Sequence, residues 1–367
     1  MTAPSTRRGE RAARVAWARL VEPGDPDVAA RIAAVGAEEA LRAAGSDPVV
    51  GARMAGRLPW LDVDRDFEIA QRLGARIVVP GDDEWPKGFD DLAAPPLCLW
   101  LRGPADLAAS SVRSVSIVGA RAATGYGVHV AKELAAGVSE REFAVVSGAA
   151  YGIDGAAHEG ALAVDGVTIA VVAGGIDRPY PSGHAGLLDR IRATGLVVSE
   201  VPPGSAPTKW RFLSRNRLIA TLTQGTVVVE AGLRSGSRNT ARLAGDHLRM
   251  VCAVPGPVTS AVSAGCHELI RDGATLVTDA AEVAEAVGPM GELAPRKQGP
   301  SRREDALAPS HQTVLAALPT RKAVTLEELA RRCGLAPQEI SSALGILDVA
   351  GLALREEGRW RKPAVTR

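Results

Sequence analysis

Cations and aromatic rings crowd one short stretch of this chain. TKWRFLSRNRLIATL, residues 208–222, sets Lys209, Arg211, Arg215 and Arg217 around Trp210 and Phe212, with Asn216 between two arginines. Cations at this density track phosphates and aromatic faces stack on bases, the composition of a surface for single-stranded nucleic acid. A solvated cationic helix start is the plainer reading. Just downstream, VVVEAGLRSGSRNTARLAGDHL (227–248) leads from an apolar run through Ser235, Gly236, Ser237 and Thr240 into a helical pattern carrying Arg234, Arg238 and Arg242. Small residues at a helix start leave backbone amides open to an anion.

Two further loops share that logic. In SIVGARAATGYGVHVAKELA (116–135), Gly119 closes a strand, Arg121 and Thr124 project from the turn, and Gly127 opens a helix. A guanidinium beside helix-start amides can fork onto a phosphate; a simple tight strand-to-helix turn is the alternative. VVSGAAYGIDGAAHEGAL (145–162) brings Ser147, Gly148 and Tyr151, then Asp154 and His158 four residues apart. Asp154 is placed to cap the following helix by accepting from its first amides, and His158 to pack one turn later. General acid–base work by this pair needs a nucleophile or a substrate contact that the sequence does not identify. Capping and packing are therefore preferred to catalysis.

The enzyme signatures that would compete are missing. The first loop is not GxGxxG and lacks an acidic ribose anchor about 20 positions on. There is no GxxxxGK[ST] and no HExxH, and spacing alone proposes no Ser-His-Asp set. Cys98, Cys252, Cys266 and Cys333 are scattered without a CxxC, against zinc and against a disulfide framework. No catalytic residue, metal ligand or cofactor is assigned.

Composition narrows the class further. The chain has 367 residues, 46% hydrophobic and 23% charged, ordinary for a globular protein of two or three domains. Lys+Arg (43) and Asp+Glu (42) nearly cancel, so an anion site has to be a local cluster. No apolar run approaches the roughly 20 residues that span a bilayer. The N-terminal MTAPSTRRGERAARVAWARL has no uninterrupted apolar core, which argues against a secretory signal and against membrane insertion. A reducing cytoplasm is the expected compartment.

The elements that must position these loops fall into three regions. Residues 1–75 are Ala- and Arg-rich, with Val15, Leu20, Val28, Ile32, Val35 and Leu41 at helical spacing and Gly24, Gly36, Gly45 and Pro48 as punctuation, a small helical domain. Over 76–288, short Val/Ile runs (SVSIVG, AVVSG, TIAVVAGG, GLVVSE, GTVVVEAG, MVCAVPG, TLVTD) alternate with helical stretches. Buried parallel strands with crossover helices read this way, so the fold class is α/β with a doubly wound parallel sheet, its ligand expected beyond the strands' carboxyl ends. Residues 289–309 read as a linker. Residues 310–367 predict helices at about 310–318, 325–333 and 337–350, with a Thr325/Glu328 capping box and Pro337 in a first turn. A hairpin turning at Gly358 follows, completing a winged helix-turn-helix outline.

Taken together, SIVGARAATGYG, SGAAYGIDGAAHEGAL, TIAVVAGGIDRPYP, SEVPPGSAPTKWRFLSRNRLIA, VVVEAGLRSGSRNTARLA and AVPGPVTSAVSAGCHELIRDGA resemble, in this order, the DprA/Smf DNA-processing proteins. The resemblance is dense over about 75–285 and implies an extended Rossmann-like fold. It also implies a homodimer that binds single-stranded DNA, protects it and helps load the RecA recombinase during DNA uptake, natural transformation and recombination, without nucleotide hydrolysis. The family's pocket Arg corresponds to Arg121, and its Lys and Phe to Lys209 and Phe212. Tyr151 stands where many members carry Arg, offering a ring to stack on a base, and Arg238 where an apolar residue is commoner. The N-terminal domain resembles the family's helix-hairpin-helix-like (SAM-like) domain.

The site expected on this basis holds the DNA backbone with Arg121, Lys209, Arg211, Arg215 and Arg217 and stacks Phe212 or Trp210 on bases. Amides come from Gly119, Ser147, Gly148 and the Ser235–Ser237 turn. The enzyme alternative is a nucleotide-processing Rossmann hydrolase that cleaves a ribose–base bond, which resembles Gly-Gly-x-Gly-Thr-x-x-Glu; here ARLAGD follows Thr240 and the nearest acid is Asp246. A duplex-binding transcription factor would rest on the C-terminal domain alone. Its PQEISSALGILDVAG helix offers Gln338, Ser341 and Ser342 beside Glu339 and Asp348, where a groove reader usually brings Arg or Lys. A protein-interaction role is preferred, although Arg355, Arg359, Arg361 and Lys362 mark the wing.

Overall fold

A computed structural model describes residues 4–45, 47–291, 293–295 and 307–363. The chain divides into two compact units, Met1–Pro295 and Arg296–Arg367.

The first unit opens with five helices: α1 (Pro4–Leu20), α2 (Pro26–Val35), α3 (Ala37–Ala44), α4 (Pro48–Ala55) and α5 (Val63–Arg72). Pro26 and Pro48 start helices, and Gly36 and Gly45 end them, as the punctuation predicts. Val15, Leu20, Val28 and Ile32 are buried, but Val35, counted in the same stripe, is exposed at the end of α2. Trp17 anchors the cluster: its ring is fully buried and its Nε1 donates to the Ala37 carbonyl at 3.0 Å.

These helices share packing with the sheet. Val15, also on α1, packs in a second core with Ala70, Val79, Cys98, Trp100 and Ile176, and Arg11 reaches Asp82 at 2.8 Å. The break expected at residue 75 is thus covered by shared packing.

The sheet contains β1 (Arg76–Val78), β2 (Leu99–Arg102), β3 (Ser114–Val118), β4 (Ala144–Ser147), β5 (Thr168–Val172), β6 (Leu196–Ser199), β7 (Gly225–Val228), β8 (Met250–Ala253) and β9 (Thr275–Leu276). Their order is β1-β2-β6-β5-β4-β3-β7-β8-β9. From β6 across to β9 neighbours are parallel, while β2 pairs antiparallel with both β6 and β1, an antiparallel edge on a doubly wound sheet.

The intervening helices are α6 (Leu107–Val112), α7 (Gly125–Ser139), α8 (Ile153–Ala163), α9 (Ala185–Thr194), α10 (Lys209–Leu222), α11 (Gly236–Asp246), α12 (Ala264–Arg271) and α13 (Ala280–Val287). Alternation along the strands sends Val115, Ile117 and Val145 into a core with α7, α8 and α13. Val118, Val146 and Ile169 face the other way, toward α10 and α11. Both faces are covered, so the strands read as continuous apolar runs. The chain builds from β3 outward to β6, then returns to lay β7 on the other side of β3. The gap between β3 and β7 is therefore the switch point, where loops diverge and a crevice must open.

The second unit holds α14 (Pro309–Ala317), α15 (Leu326–Cys333), α16 (Pro337–Val349), β10 (Leu354–Glu356) and β11 (Arg359–Arg361). The Thr325/Glu328 capping box is formed in both directions, and Pro337 takes the first turn of α16. Glu357 and Gly358 both have positive φ (49° and 80°), the backbone a two-residue hairpin turn requires. Val324 pairs with Trp360 through both backbone bonds and widens the wing. Of the linker expected at 289–309, residues 292 and 296–306 lie outside the described residues.

Candidate nucleic-acid interface

A cleft of about 490 Å³ lies at the carboxyl ends of β3 and β7, between the loop after β3 and the starts of α10 and α11. Backbone closeness makes the first wall. A Cβ at Gly119 would sit 2.5 Å from Ile153 Cγ1 and 2.9 Å from the Glu230 carbonyl, so only glycine fits. The Ala120 amide donates to that same carbonyl at 2.7 Å. Glu230, almost fully buried, accepts from the Thr124 amide at 2.9 Å and the Thr124 hydroxyl at 2.6 Å. Gly127 leaves room for the carboxylate. Thr124 is thus the N-cap of α7, accepting from Gly127 N at 3.2 Å, and is spent on holding the loop rather than pointing at a ligand. Glu230 escapes a sequence reading focused on cations, although an acid closing the apolar run VVVEAG is its signal.

Arg121, beyond this lock, is exposed. Its guanidinium carbon stands 4.8 Å from the Phe212 ring centroid, a cation–π distance. The Tyr180 ring centroid lies 5.6 Å from that of Phe212, the two rings tilted at 55°.

The 145–162 stretch supplies the floor. Ser147 is fully buried and donates to the Ile117 carbonyl at 2.6 Å, so its hydroxyl ties β4 to β3 rather than contacting a phosphate. A Cβ at Gly148 would overlap the Arg215 guanidinium; the glycine makes space for that side chain and does not line the cleft itself. The expected Asp154 cap is corrected: Gly152, at φ 80°, is the N-cap of α8 and no side chain caps it. Asp154 lies inside the first turn and accepts backward from the Ala150 amide at 3.4 Å. Burial pushes its carboxyl up, against the pull of Arg215.

His158 is fully buried, its Nδ1 bonded to the Thr168 hydroxyl at 2.7 Å. Burial, reinforced by His184 and Arg215, pushes it down to about 3, so it stays neutral and away from any ligand. Tyr151 is half-exposed outside the cleft, edge-on to His184 at 4.7 Å.

Helical rotation divides the cationic stretch. Thr208 caps α10 by accepting from the Arg211 amide. Lys209, Phe212, Arg215 and Asn216 fall on the cleft side with Ile219, the i, i+3, i+4 spacing of one face. Lys209 is exposed and has no salt-bridge partner among the described residues. Arg215 is buried with Nε and Nη1 unpartnered, and burial pushes it down to about 10, against the pull of Asp154.

The other members of the group face elsewhere. Arg217 is buried in an ion pair with Glu200 and does not reach the cleft. Arg211 sits at the rim, bonded to Glu22 at 2.9 Å and to the Ala206 carbonyl at 2.9 Å. Trp210 is 76% exposed and stands outside the lining.

Ser235 caps α11 by accepting from Ser237 N at 3.3 Å, and their hydroxyls are 2.6 Å apart. Ser235, Gly236, Ser237 and Thr240 form the second wall, tied to the first by the Asn216 side-chain amide donating to the Gly236 carbonyl at 3.4 Å. Arg238 points outward, to the Leu233 carbonyl, over a groove against β8 and α12. Asp246, the nearest acid to Thr240 downstream, is paired with Arg242 at 2.6 Å. The cleft therefore gathers Arg121, Lys209 and Arg215 against the single carboxylate of Asp154, at the N-termini of two helices, which favours an anion.

Comparison with known proteins places this architecture. The family model for DNA recombination-mediator protein A matches residues 76–288, and that for the DprA winged helix domain matches 298–359. The putative DNA processing protein DprA of Mycobacterium tuberculosis is 48% identical over 94% of this chain and 93% of its own. The crystal structure of DNA processing protein A from Streptococcus pneumoniae superposes with TM-score 0.65 at 32% identity, covering 76% of this chain and 98% of that one. DNA processing protein A from Helicobacter pylori, whose structure is described for its single-stranded DNA binding mode, matches with TM-score 0.51 at 30% identity over 56% of this chain and 92% of that one. Fold and sequence agree: the chain belongs to the DNA recombination-mediator protein A family, the DprA/Smf DNA-processing proteins.

Proposed function

We propose that this chain binds single-stranded DNA in the cleft between β3 and β7, protects it and passes it to the RecA recombinase. On this reading it acts as a cytoplasmic homodimer in DNA uptake, natural transformation and recombination. The observation that carries the reading is Phe212, its ring 4.8 Å from the Arg121 guanidinium and 5.9 Å from that of Arg215, in an anion-favouring crevice that Lys209 also lines. Cations engage the backbone while the ring offers a stacking face to any base. The single-strand binding described for the Helicobacter relative supports the ligand, and the recombination-mediator family supports the hand-off to a recombinase. Binding without catalysis fits the neutral, enclosed His158 and the pairing of Asp246 with Arg242. Among the described residues, no helix is long and apolar enough to cross a membrane.

Fluorescence anisotropy with a labelled single strand and the matching duplex, titrated at several salt concentrations, tests this. Single-strand preference is expected, with log affinity falling against log salt by about 0.7 per phosphate engaged. Lys209→Glu should weaken binding far more than a charge reversal at Lys132 on α7. Equal affinities for the two variants would remove the assignment.

A further inference from the structure

Outside the cleft, the rim of α10 meets the N-terminal helices at a shared carboxylate. Glu22, in the α1–α2 loop, accepts from Arg211 at 2.9 and 3.0 Å and from Arg57, which follows α4. Two guanidiniums thus share one acid, and the cluster keeps a net positive charge. Each of the two arginines has an exposed tryptophan close to it along the chain. Trp210, adjacent to Arg211, is 76% exposed; Trp60, whose amide donates to the Arg57 carbonyl at 3.0 Å, is 79% exposed. The neighbouring Arg53 is cancelled by Asp25 and Asp27 at 2.9 and 3.0 Å.

Fully exposed tryptophans are uncommon, because the side chain is large and mostly apolar. Two of them beside a pair of half-neutralised arginines repeat, outside the cleft, the cation-and-ring pattern found within it. We propose that single-stranded DNA leaving the cleft continues over Trp210 and the Arg211–Glu22–Arg57 bridge to Trp60, so that the N-terminal helical segment provides the far end of the binding track. The Glu22 carboxylate is half-exposed while the Arg211 guanidinium is largely buried and held in place, so a phosphate arriving from solvent can replace Glu22 between guanidiniums that are already positioned. Bases on either side then stack on the two indoles. This proposal rests on the single-strand reading above and extends it by adding residues from outside the sheet.

Length dependence of binding by the full chain provides the test. Anisotropy is measured with labelled oligothymidylates of about 6 and about 20 nucleotides, one filling the cleft and the other overrunning it. The native protein binds the longer strand more tightly. Trp60→Ala weakens the longer strand by about 5- to 100-fold, the range of one lost stacking contact, and leaves the shorter one unchanged. Trp60→Phe, which still stacks, preserves the length advantage. The short strand doubles as a folding control.

Equal losses on both lengths, or no loss on either, overturn the extended track while leaving the cleft reading standing. A native chain that binds neither strand overturns both.

Discussion

At the scale of single residues, the cleft depends on a few buried polar groups that never touch a ligand. His158 gives this a measurable form. The unfolded chain protonates that imidazole below about 6.5, whereas the folded protein resists until about 3. Stability should therefore fall with acid across that window, by up to about 1.4 kcal/mol per pH unit, and be insensitive to this group above pH 7. Denaturant unfolding of the native protein and of His158→Gln should show the slope flattened in the variant; identical slopes would contradict the assignment. Small residues were harder to read than charged ones. Gly148 looked like a ligand-facing amide and is instead the space that Arg215 occupies, a relation between residues far apart in sequence that no local pattern carries. Thr124 projects from its turn onto Glu230, a partner on another loop that no local pattern signals.

Among secondary-structure elements, α10 matters most. The sequence grouped its four cations with its two aromatics as one surface, but the helix turns Lys209, Phe212 and Arg215 toward the cleft and Arg217 toward Glu200. The 3.6-residue period was available to make that division. Arg217→Met should therefore leave Glu200 buried and unpaired, at about 3–5 kcal/mol of stability, while the folded variant keeps its oligonucleotide affinity. Lys209→Ala should do the reverse. Urea unfolding and anisotropy on the two variants check this, and a shared phenotype would reject the two-faced helix. The parallel strands were legible because burial on both faces makes them continuous apolar runs. The reversed direction of β2 was not, since a run of three or four apolar residues carries no sign of direction.

Across the whole molecule, α1 belongs to two cores at once. Trp17 fills the one among the helices and Val15 the one against Trp100 of the sheet. Composition marks a boundary at 75 and packing crosses it, which composition does not show, because an Ala-rich helical stretch reads alike whether it stands alone or leans on a sheet edge. Trp17→Ala should cost about 3–5 kcal/mol. Calorimetry should find the helices and the sheet still melting in one transition, shifted to lower temperature; two separated transitions would mean independent domains.

The switch point between β3 and β7 also orders events in time. One wall of the cleft, at Gly119 and Arg121, and the other, at Ser235 to Thr240, are separated by more than three crossover units of chain. During synthesis the first wall leaves the ribosome with nothing opposite it, and Phe212 follows before the serine turn exists. A nascent chain halted before Ser235 therefore has the cations but no crevice, and the cleft is complete only when the second half of the sheet has been laid down.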